Sequence, residues 1–413
     1  MKTVAVLADI LPPAAVSGPE ESGPEFARIG TPEAVVRPAS TDEVATVMRW
    51  ASREGVGVLP VRSGRRTGSV SGAQGGRDRW IILSTERLAG IEIYEAADLT
   101  LTAGAGTPVR QLAAALRGSG QWLPFDPPHV LDRSLGGLVA DGVSGPMATG
   151  YGELRNHVLG MTVVTGDGRV LRLGGRVVKN VAGFDLIKPM TGSRGALAVM
   201  TSVCLRAFPI PQEDRVLVLR ATSTTDLLES AVAVGTAPVL PVSSFLVDRL
   251  DEAGASAALI VRLHGARNTV DADQRTIERH VGRAFDVIGA SSGVALVERV
   301  RDHAAGEPVT VLASASPSRV ADLLAAIDPV GYSSLTFDSY AALARIGLAD
   351  TDANAVSALT ARVEALGGAV RVERAPGVAL RETGSRLTTD ELRLVDRLRA
   401  AFDPGEILWP ARR

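Results

Sequence analysis

The chain has 413 residues, room for two domains with separate cores, because a single core stops growing near ~250–300 residues. Lysine and arginine number 44 against 46 acidic residues, so a net charge of -2 excludes a global field that would draw in nucleic acid or an anionic membrane. The one cysteine, Cys204, excludes an intramolecular disulfide and any cysteine-built zinc or iron–sulfur cluster within the chain, and fits a reducing cytoplasm.

The chain opens with "MKTVAVLADILPPAAV", where Asp9 interrupts a short apolar run. It reads as an amphipathic start, with a signal peptide as the alternative. No stretch of about 18 apolar residues runs free of charge or proline, so no membrane span is expected. "AVVRPASTDEVATVMRWASREGVGVLPVRSG" then reads as strand, helix, strand. Ser40 or Thr41 can cap the helix, and Val44, Val47, Met48 and Ala51 share one of its faces. "WIILS" and the pair within "IEIYEAADLTLTAGAGT" add strands, and "VRQLAAALRGSG" is a helix stopped by glycine.

From Arg215 the texture changes. "RVLVLRA", "ALIVRLHG", "PVTVLAS" and "GAVRVERAP" read as strands, separated by helical segments such as "TDLLESAVAVG", "ADQRTIERHVGRAF" and "SRVADLLAAIDPV". This alternation predicts an α+β domain with helices over one face of its sheet. The final "LTTDELRLVDRLRAAFDPGEILWPARR" reads as a capped helix, a turn and an extended end.

Glycine carries the chemical signal: 43 residues, about a tenth of the chain against ~7% in ordinary proteins, crowd 64–76, 104–106, 136–152 and 160–195. The loop Val61–Gln74 brings Gly64, Gly68 and Gly72 together with Thr67, Ser69 and Ser71, a set that can turn amides and hydroxyls toward one anion or form a plain surface turn. It matches neither G-x-x-x-x-G-K-[ST] nor G-x-G-x-x-G. In "PFDPPHVLDRSLGGLVADGVSGP", Ser134 can cap a helix whose first turn holds Gly136 and Gly137, leaving uncovered amides at a positive dipole end. His129 and His157 stand 28 residues apart and read as hydrogen-bonding histidines rather than metal ligands. A third stretch, Arg176–Met200, sets Lys179, Asn180, Asp185 and Lys188 among apolar positions and brings in Gly183, Gly192 and Gly195.

Together, "RPASTDEVATVMRWA", the glycine loop, "PFDPPHVLDRSLGGLVADGVSGP", "RNHVLGMTVVTGDGRVLRLGGRVVKNVAGFDLIKPMTGSRGALAVMTSVCLRAFP" and "FDPGEILWP" resemble the FAD-linked oxidases of the vanillyl-alcohol oxidase and p-cresol methylhydroxylase (PCMH) type, nearest to their glycolate oxidase FAD-binding subunits. The resemblance implies an α+β fold: a lead over 1–30, a two-subdomain PCMH-type FAD domain over 31–212, a cap over 213–388 and a return to the FAD domain over 389–413. It implies FAD held by Gly64, Arg65, Arg66, Thr67, Gly68 and Ser69 in a first loop. Pro128, Ser134, Gly136, Gly137, Asp141 and Ser144 would form the second, with Asn180 facing the ring and Val199 on the strand whose backbone meets the adenine.

The pattern is also departed from. Arg66 stands where a glycine is common, Phe184 where tyrosine is, and Trp409 where asparagine is. No histidine lies between Val61 and Gly76, so a histidyl–flavin bond cannot form there and non-covalent FAD is expected. His264, His280 and His303 stand apart in the cap, at spacings that give no chelating pair on one helix face. Arg262 and His264 share a strand face, and Arg249 reads as a solvated helix residue or a carboxylate ligand. Lys179, Arg155 and His157 are the catalytic candidates. The expected function is the FAD subunit of a glycolate or related D-2-hydroxyacid oxidase, working with a second flavoprotein and iron–sulfur subunits in the cytoplasm or peripherally at the inner face of the membrane. The alternatives are an assembly subunit without independent catalysis and an oxidase of the same fold for another alcohol or sugar.

Overall fold

The computed structural model describes residues 2–26, 29–62, 78–175, 184–248, 257–349, 353–375 and 388–409. Helix α1 (Lys2–Ile10) leads into β1 (Val16–Ser17), β2 (Val35–Val36), α2 (Thr41–Glu54), β3 (Gly57–Val61) and β4 (Trp80–Ser84). These strands form a four-stranded sheet in the order β1-β2-β4-β3, with β2 and β3 both parallel to β4. Ser40 is the residue that caps α2: its hydroxyl accepts the Glu43 N–H at 3.2 Å, and Glu43 returns a carboxylate to the Ala39 N–H at 2.8 Å.

A second sheet, in the order β5-β6-β10-β8-β9, is antiparallel throughout. It comprises β5 (Ile91–Glu95) and β6 (Thr100–Gly104), then, after α3 (Val109–Arg117), β7 (Gln121–Trp122), α4 (Leu135–Asp141) and α5 (Ala148–Tyr151), the strands β8 (Val158–Thr165) and β9 (Val170–Gly174), and beyond α6 (Ile187–Met190) the long β10 (Ala198–Arg206). α2 lies between the two sheets. Its Val44, Val47, Met48 and Ala51 share a core with Val58 and Ile81 of the first sheet and Val164 and Val199 of the second. The Thr41 hydroxyl reaches that of Thr201 on β10 at 2.9 Å.

β11 (Phe208–Pro209) pairs with β7, after which the chain enters a second domain. Its elements are β12 (Glu213–Ala221), α7 (Thr225–Thr236), β13 (Ser243–Asp248), β14 (Ala257–Gly265), α8 (Arg267–Val281), β15 (Asp286–Ile288), α9 (Ala290–His303), β16 (Val309–Ser314), α10 (Val320–Ile327), β17 (Ser334–Asp338), β18 (Leu343–Leu348), α11 (Ala353–Ala365) and β19 (Ala369–Arg374). The eight strands form one antiparallel sheet, β15-β12-β14-β13-β17-β18-β16-β19. Alternation along the strands divides its faces. Leu217, Leu259, Val261 and Ile346 meet α7, α8, α10 and α11, whereas Val216, Val218, Phe245 and Ile260 meet Val297 and Val300 of α9. Helices therefore lie on both faces, not on one as the alternation of elements predicts, and β13, β15, β17 and β18 join the expected strands.

Finally α12 (Thr389–Phe402), started by a capping box between Thr388 and Glu391, returns to the first domain. Phe402 enters the core of the second sheet. Beyond it the Asp403 carboxylate accepts the Ile407 and Leu408 N–H groups at 3.0 and 2.8 Å, and Trp409 donates its N–H to Val58 and stands edge-on to Trp80 at 5.2 Å. Trp409 is thereby a wall of the first domain.

Candidate functional site

Among the described residues, the glycines of α4 and of the segment Thr191–Ala196 meet beside the second sheet, whose core takes in Leu135, Leu138 and Val139 of α4. Ser134 caps α4, its Oγ accepting the Gly137 N–H at 3.2 Å. The helix terminus differs from the expectation of uncovered amides. Leu135 donates to the Thr107 carbonyl at 2.9 Å and Gly136 to that of Ala105 at 2.7 Å, because α4 packs end-on against the chain leaving β6. A Cβ on Gly136 would sit 2.7 Å from the Ala105 Cβ, so this glycine serves packing. Gly137 is the exposed one, and among the described residues its Cβ would find only the Ser134 Oγ within 4 Å. Its amide is bonded to a side chain that can rotate away, so it remains available to an anion along with the helix dipole.

The segment Thr191–Ala196 crosses this site. A Cβ on Gly142, just past α4 at φ +63°, would lie 2.7 Å from the Gly192 Cα, so these two main chains touch. Gly192 and Arg194 donate their N–H groups to the Val139 and Ala140 carbonyls at 3.0 and 2.8 Å. Ser193, between them, buries its Oγ without a hydrogen-bond partner among the described residues. Asp141 is paired with Arg133 at 2.7 Å and with Arg194 at 3.8 Å, so its carboxylate braces the segment. The β6–β10 ladder ends at Gly104 opposite Ser202, with one more bond from the Ala105 N–H to the Thr201 carbonyl. Val199, past that end, turns its side chain into the core and leaves only main chain for a ligand.

The boundary with the second domain carries the charged groups. Arg262 grips Asp214 through Nε at 2.8 Å and Nη2 at 2.6 Å and points Nη1 toward the Met147 sulfur at 3.6 Å. The Tyr151 hydroxyl meets His264 Nδ1 at 2.9 Å; His264 Nε2 lies 3.1 Å from Asp214 Oδ1, an ion-pair distance without the alignment of a hydrogen bond. Burial opposes the Asp214 charge, but the Arg262 bonds and then His264 overcome it and hold the carboxyl well below the usual range. Arg262 and His264 do share a strand face, and both are buried there rather than exposed. On the other side of the boundary Asp302 accepts the His129 N–H at 2.9 Å and chelates Arg301.

Residues 32–174 match the FAD binding domain family. The chain contains an FAD binding domain. Over 184 residues, 44% of this chain and 50% of the relative, it is 38% identical to glycolate oxidase subunit GlcE of Escherichia coli. It is 35% identical over 232 residues to a D-2-hydroxyglutarate dehydrogenase of Xanthomonas citri pv. viticola, covering 56% of this chain and 48% of that one. It is 30% identical over 250 residues to a D-lactate dehydrogenase of Archaeoglobus fulgidus, covering 60% and 55%. The matched segments thus span about half the length of these relatives. Among solved structures, alkyldihydroxyacetonephosphate synthase superposes with a TM-score of 0.75 at 14% identity, covering 99% of this chain and 84% of that one. 4-Ethylphenol oxidase from Gulosibacter chungangensis gives 0.74 at 18%, covering 100% and 96%. The fold is therefore the expected α+β one, an FAD binding domain of two subdomains with a cap.

The residues at hand fit FAD on three counts. Among the described residues, Gly137 is open above a helix N-terminus, Gly142 and Gly192 bring two main chains together without side chains, and the Ser193 hydroxyl is buried without a partner. Ser193 had no sequence signal beyond its place between glycines. Of the other expected contacts, Pro128 is buried beside His129, and Ser144 lies in the segment between α4 and α5. Gly64, Arg65, Arg66, Thr67, Gly68, Ser69, Lys179, Asn180 and Arg249 lie outside the described residues.

The remaining catalytic candidates are placed by structure. His157 is buried beside Phe125 and Phe208, its Nε2 is 3.4 Å from the Gly152 carbonyl, and burial lowers its pKa. It is a core histidine. Arg155 is exposed and paired with Glu153 at 2.5 Å. No group of three or more histidine, cysteine or acidic residues suited to a metal occurs among the described residues. Phe184 is 96% exposed, and no helix among them is long and apolar enough to cross a membrane.

Proposed function

We propose that the chain is the FAD-binding subunit of a glycolate or related D-2-hydroxyacid oxidase or dehydrogenase. The observation that carries this reading is the 38% identity to glycolate oxidase subunit GlcE, laid over a cleft walled by main chain. Relatives named for D-lactate and D-2-hydroxyglutarate agree on a small hydroxyacid. FAD, when bound without a covalent link, supplies the two-electron acceptor for oxidation of the hydroxyl-bearing carbon.

The chain's own contribution is binding and enclosure. The open face of Gly137 and the dipole of α4 face the diphosphate; Pro128, Ser134, Ser144 and the Thr191–Ala196 segment line the path toward the ring. Val199 offers main chain to the adenine. Gly64–Ser69 and Asn180 complete the set. The cap docks on the first domain through Arg262 against Met147, His264 against Tyr151 and Asp302 against His129.

Electrons pass onward through a second flavoprotein and iron–sulfur subunits, in a complex held in the cytoplasm or at the inner face of the membrane. A second reading, an assembly subunit that binds flavin without turning over substrate, is favoured by the enclosure of His157 between phenylalanines, which leaves it badly placed as a base, while Arg155, a candidate to hold a substrate carboxylate, is paired with Glu153. Adding glycolate or D-lactate anaerobically to the purified, FAD-loaded chain separates the readings. Bleaching of the flavin band supports independent oxidation. A flavin that stays oxidised with the chain alone and bleaches once partner subunits are added assigns catalysis to the complex.

A further inference from the structure

Asp126 sits at the junction of the FAD binding domain and the cap, 4% exposed. Oδ1 accepts the Met147 N–H at 3.0 Å, and Oδ2 is buried with no hydrogen-bond partner among the described residues. Gly145 lies directly on it: a Cβ there would be 1.9 Å from the Asp126 carbonyl oxygen and 2.4 Å from Oδ1. Neither segment can shift without the other. From the cap, Arg262 on β14 reaches the same segment, its Nη1 3.6 Å from the Met147 sulfur, and Arg301 on α9 is held by Asp302; the charge of both favours the ionised carboxyl. Arg262 is in turn bonded to Asp214. Asp302 also takes the N–H of His129, three residues beyond Asp126, where the backbone is held at φ +53°.

We propose that Asp126 is a positioning residue of the cofactor site, tying the Gly142–Met147 segment to the Phe125–His129 segment and linking both to the cap through Arg262 and Arg301. The inference rests on the FAD reading of the cleft, since these two segments carry Ser144 and Pro128. An amide in place of the carboxyl would still accept the Met147 N–H, and it would stay uncharged at every pH. Burial pushes the carboxyl up to about 6, so Asp126 gains its charge in the mildly acidic range. Burial outweighs the Met147 bond and the two arginines, so the tie is firmest with the carboxyl protonated and the loops that hold FAD loosen as pH rises.

The test is the FAD dissociation constant of the full chain from about pH 5 to pH 8, by flavin fluorescence, for the parent, Asp126→Asn and Asp126→Ala. The parent weakens by roughly fivefold with a midpoint near 6 as pH rises; Asp126→Asn is flat and stays at the tighter, acidic value. Asp126→Ala binds FAD at least about tenfold more weakly throughout, having lost the Met147 anchor. An Asp126→Asn variant that keeps the parental pH profile, or an alanine variant with parental affinity, overturns the assignment. If the alanine variant does not fold, the isosteric asparagine decides alone. A parent that takes up no FAD refutes the reading of the cleft instead. The tie is then judged on the FAD-free chain, where the fall in unfolding midpoint between about pH 4 and pH 6 must be smaller in Asp126→Asn than in the parent.

Discussion

Gly136 and Gly137 are adjacent, yet the structure assigns them opposite roles, and substituting each in turn separates fold from ligand. In Gly136→Ala the new methyl lies 2.7 Å from the Ala105 Cβ and 3.0 Å from its carbonyl oxygen, against the bond that seats α4 on the chain after β6. Overpacking of this kind costs ~1–3 kcal/mol. At ~2–4 °C per kcal/mol for a domain of this size, a 2 kcal/mol loss lowers the unfolding midpoint by ~4–8 °C. In Gly137→Val the only neighbour within 4 Å among the described residues is the Ser134 Oγ at 2.9 Å, which can rotate, and valine is slightly better than glycine in a helix, so the midpoint of the FAD-free chain moves by less than ~2 °C. The valine instead occupies the space above the helix terminus and denies the diphosphate one charge-assisted bond. At ~1.5–3 kcal/mol, FAD affinity falls ~10- to 150-fold. Differential scanning fluorimetry without FAD and fluorescence titration with it report the two effects separately. A Gly137→Val protein that folds and holds FAD as tightly as the parent refutes the placement of the diphosphate at α4.

Ser193→Ala removes a buried hydroxyl that has no partner among the described residues, so the FAD-free chain keeps or gains up to ~1 kcal/mol while FAD binding weakens several-fold; equal FAD affinity in a titration removes Ser193 from the site. Asp338 is half-buried, and desolvation raises its carboxyl to about 6 although the Tyr340 and Ala341 N–H groups both donate to it. A folded pKa above the unfolded 3.8 means stability is full in acid and lost as pH rises, by up to about 3 kcal/mol between pH 4 and 6; the slope of unfolding free energy over that range is smaller in Asp338→Asn. Asp403→Ala frees the Ile407 and Leu408 amides inside the core, costs ~2–4 kcal/mol and releases Trp409 from Trp80, read as a shift in tryptophan emission; unchanged emission and midpoint contradict the docking of the C-terminal segment.

Much of the fold was written locally. Ser40 and Ser134 announce their helices because capping needs only a residue and an amide three positions on. Two strands of the second sheet, β5 and β6, and four strands of the cap stand out by their apolar pattern for the same local reason. β13 and β17 do not, because "SSFLVD" and "SLTFD" are short and begin with serine, and their burial comes from neighbours far away in sequence. The destination of the Gly136 amide, by contrast, depends on the chain after β6 packing onto α4, a tertiary fact that no helix-capping rule contains. The boundary network is of the same kind. Arg262 and His264 share a face by strand periodicity alone, but their burial follows from the register that sets Asp214 opposite His264, fifty residues away. Asp126 gives no sign in "PFDPPH" that Gly145 will lie on it or that two cap arginines will favour its charge.

The central claim is that the main chain of the first domain encloses the diphosphate of FAD. Titration of the purified, flavin-free chain with FAD, followed by equilibrium dialysis and release on denaturation, tests it without reference to substrate. Saturation at one FAD per chain is expected, all of it recovered on unfolding because no covalent bond forms. A folded chain that takes up no FAD contradicts it.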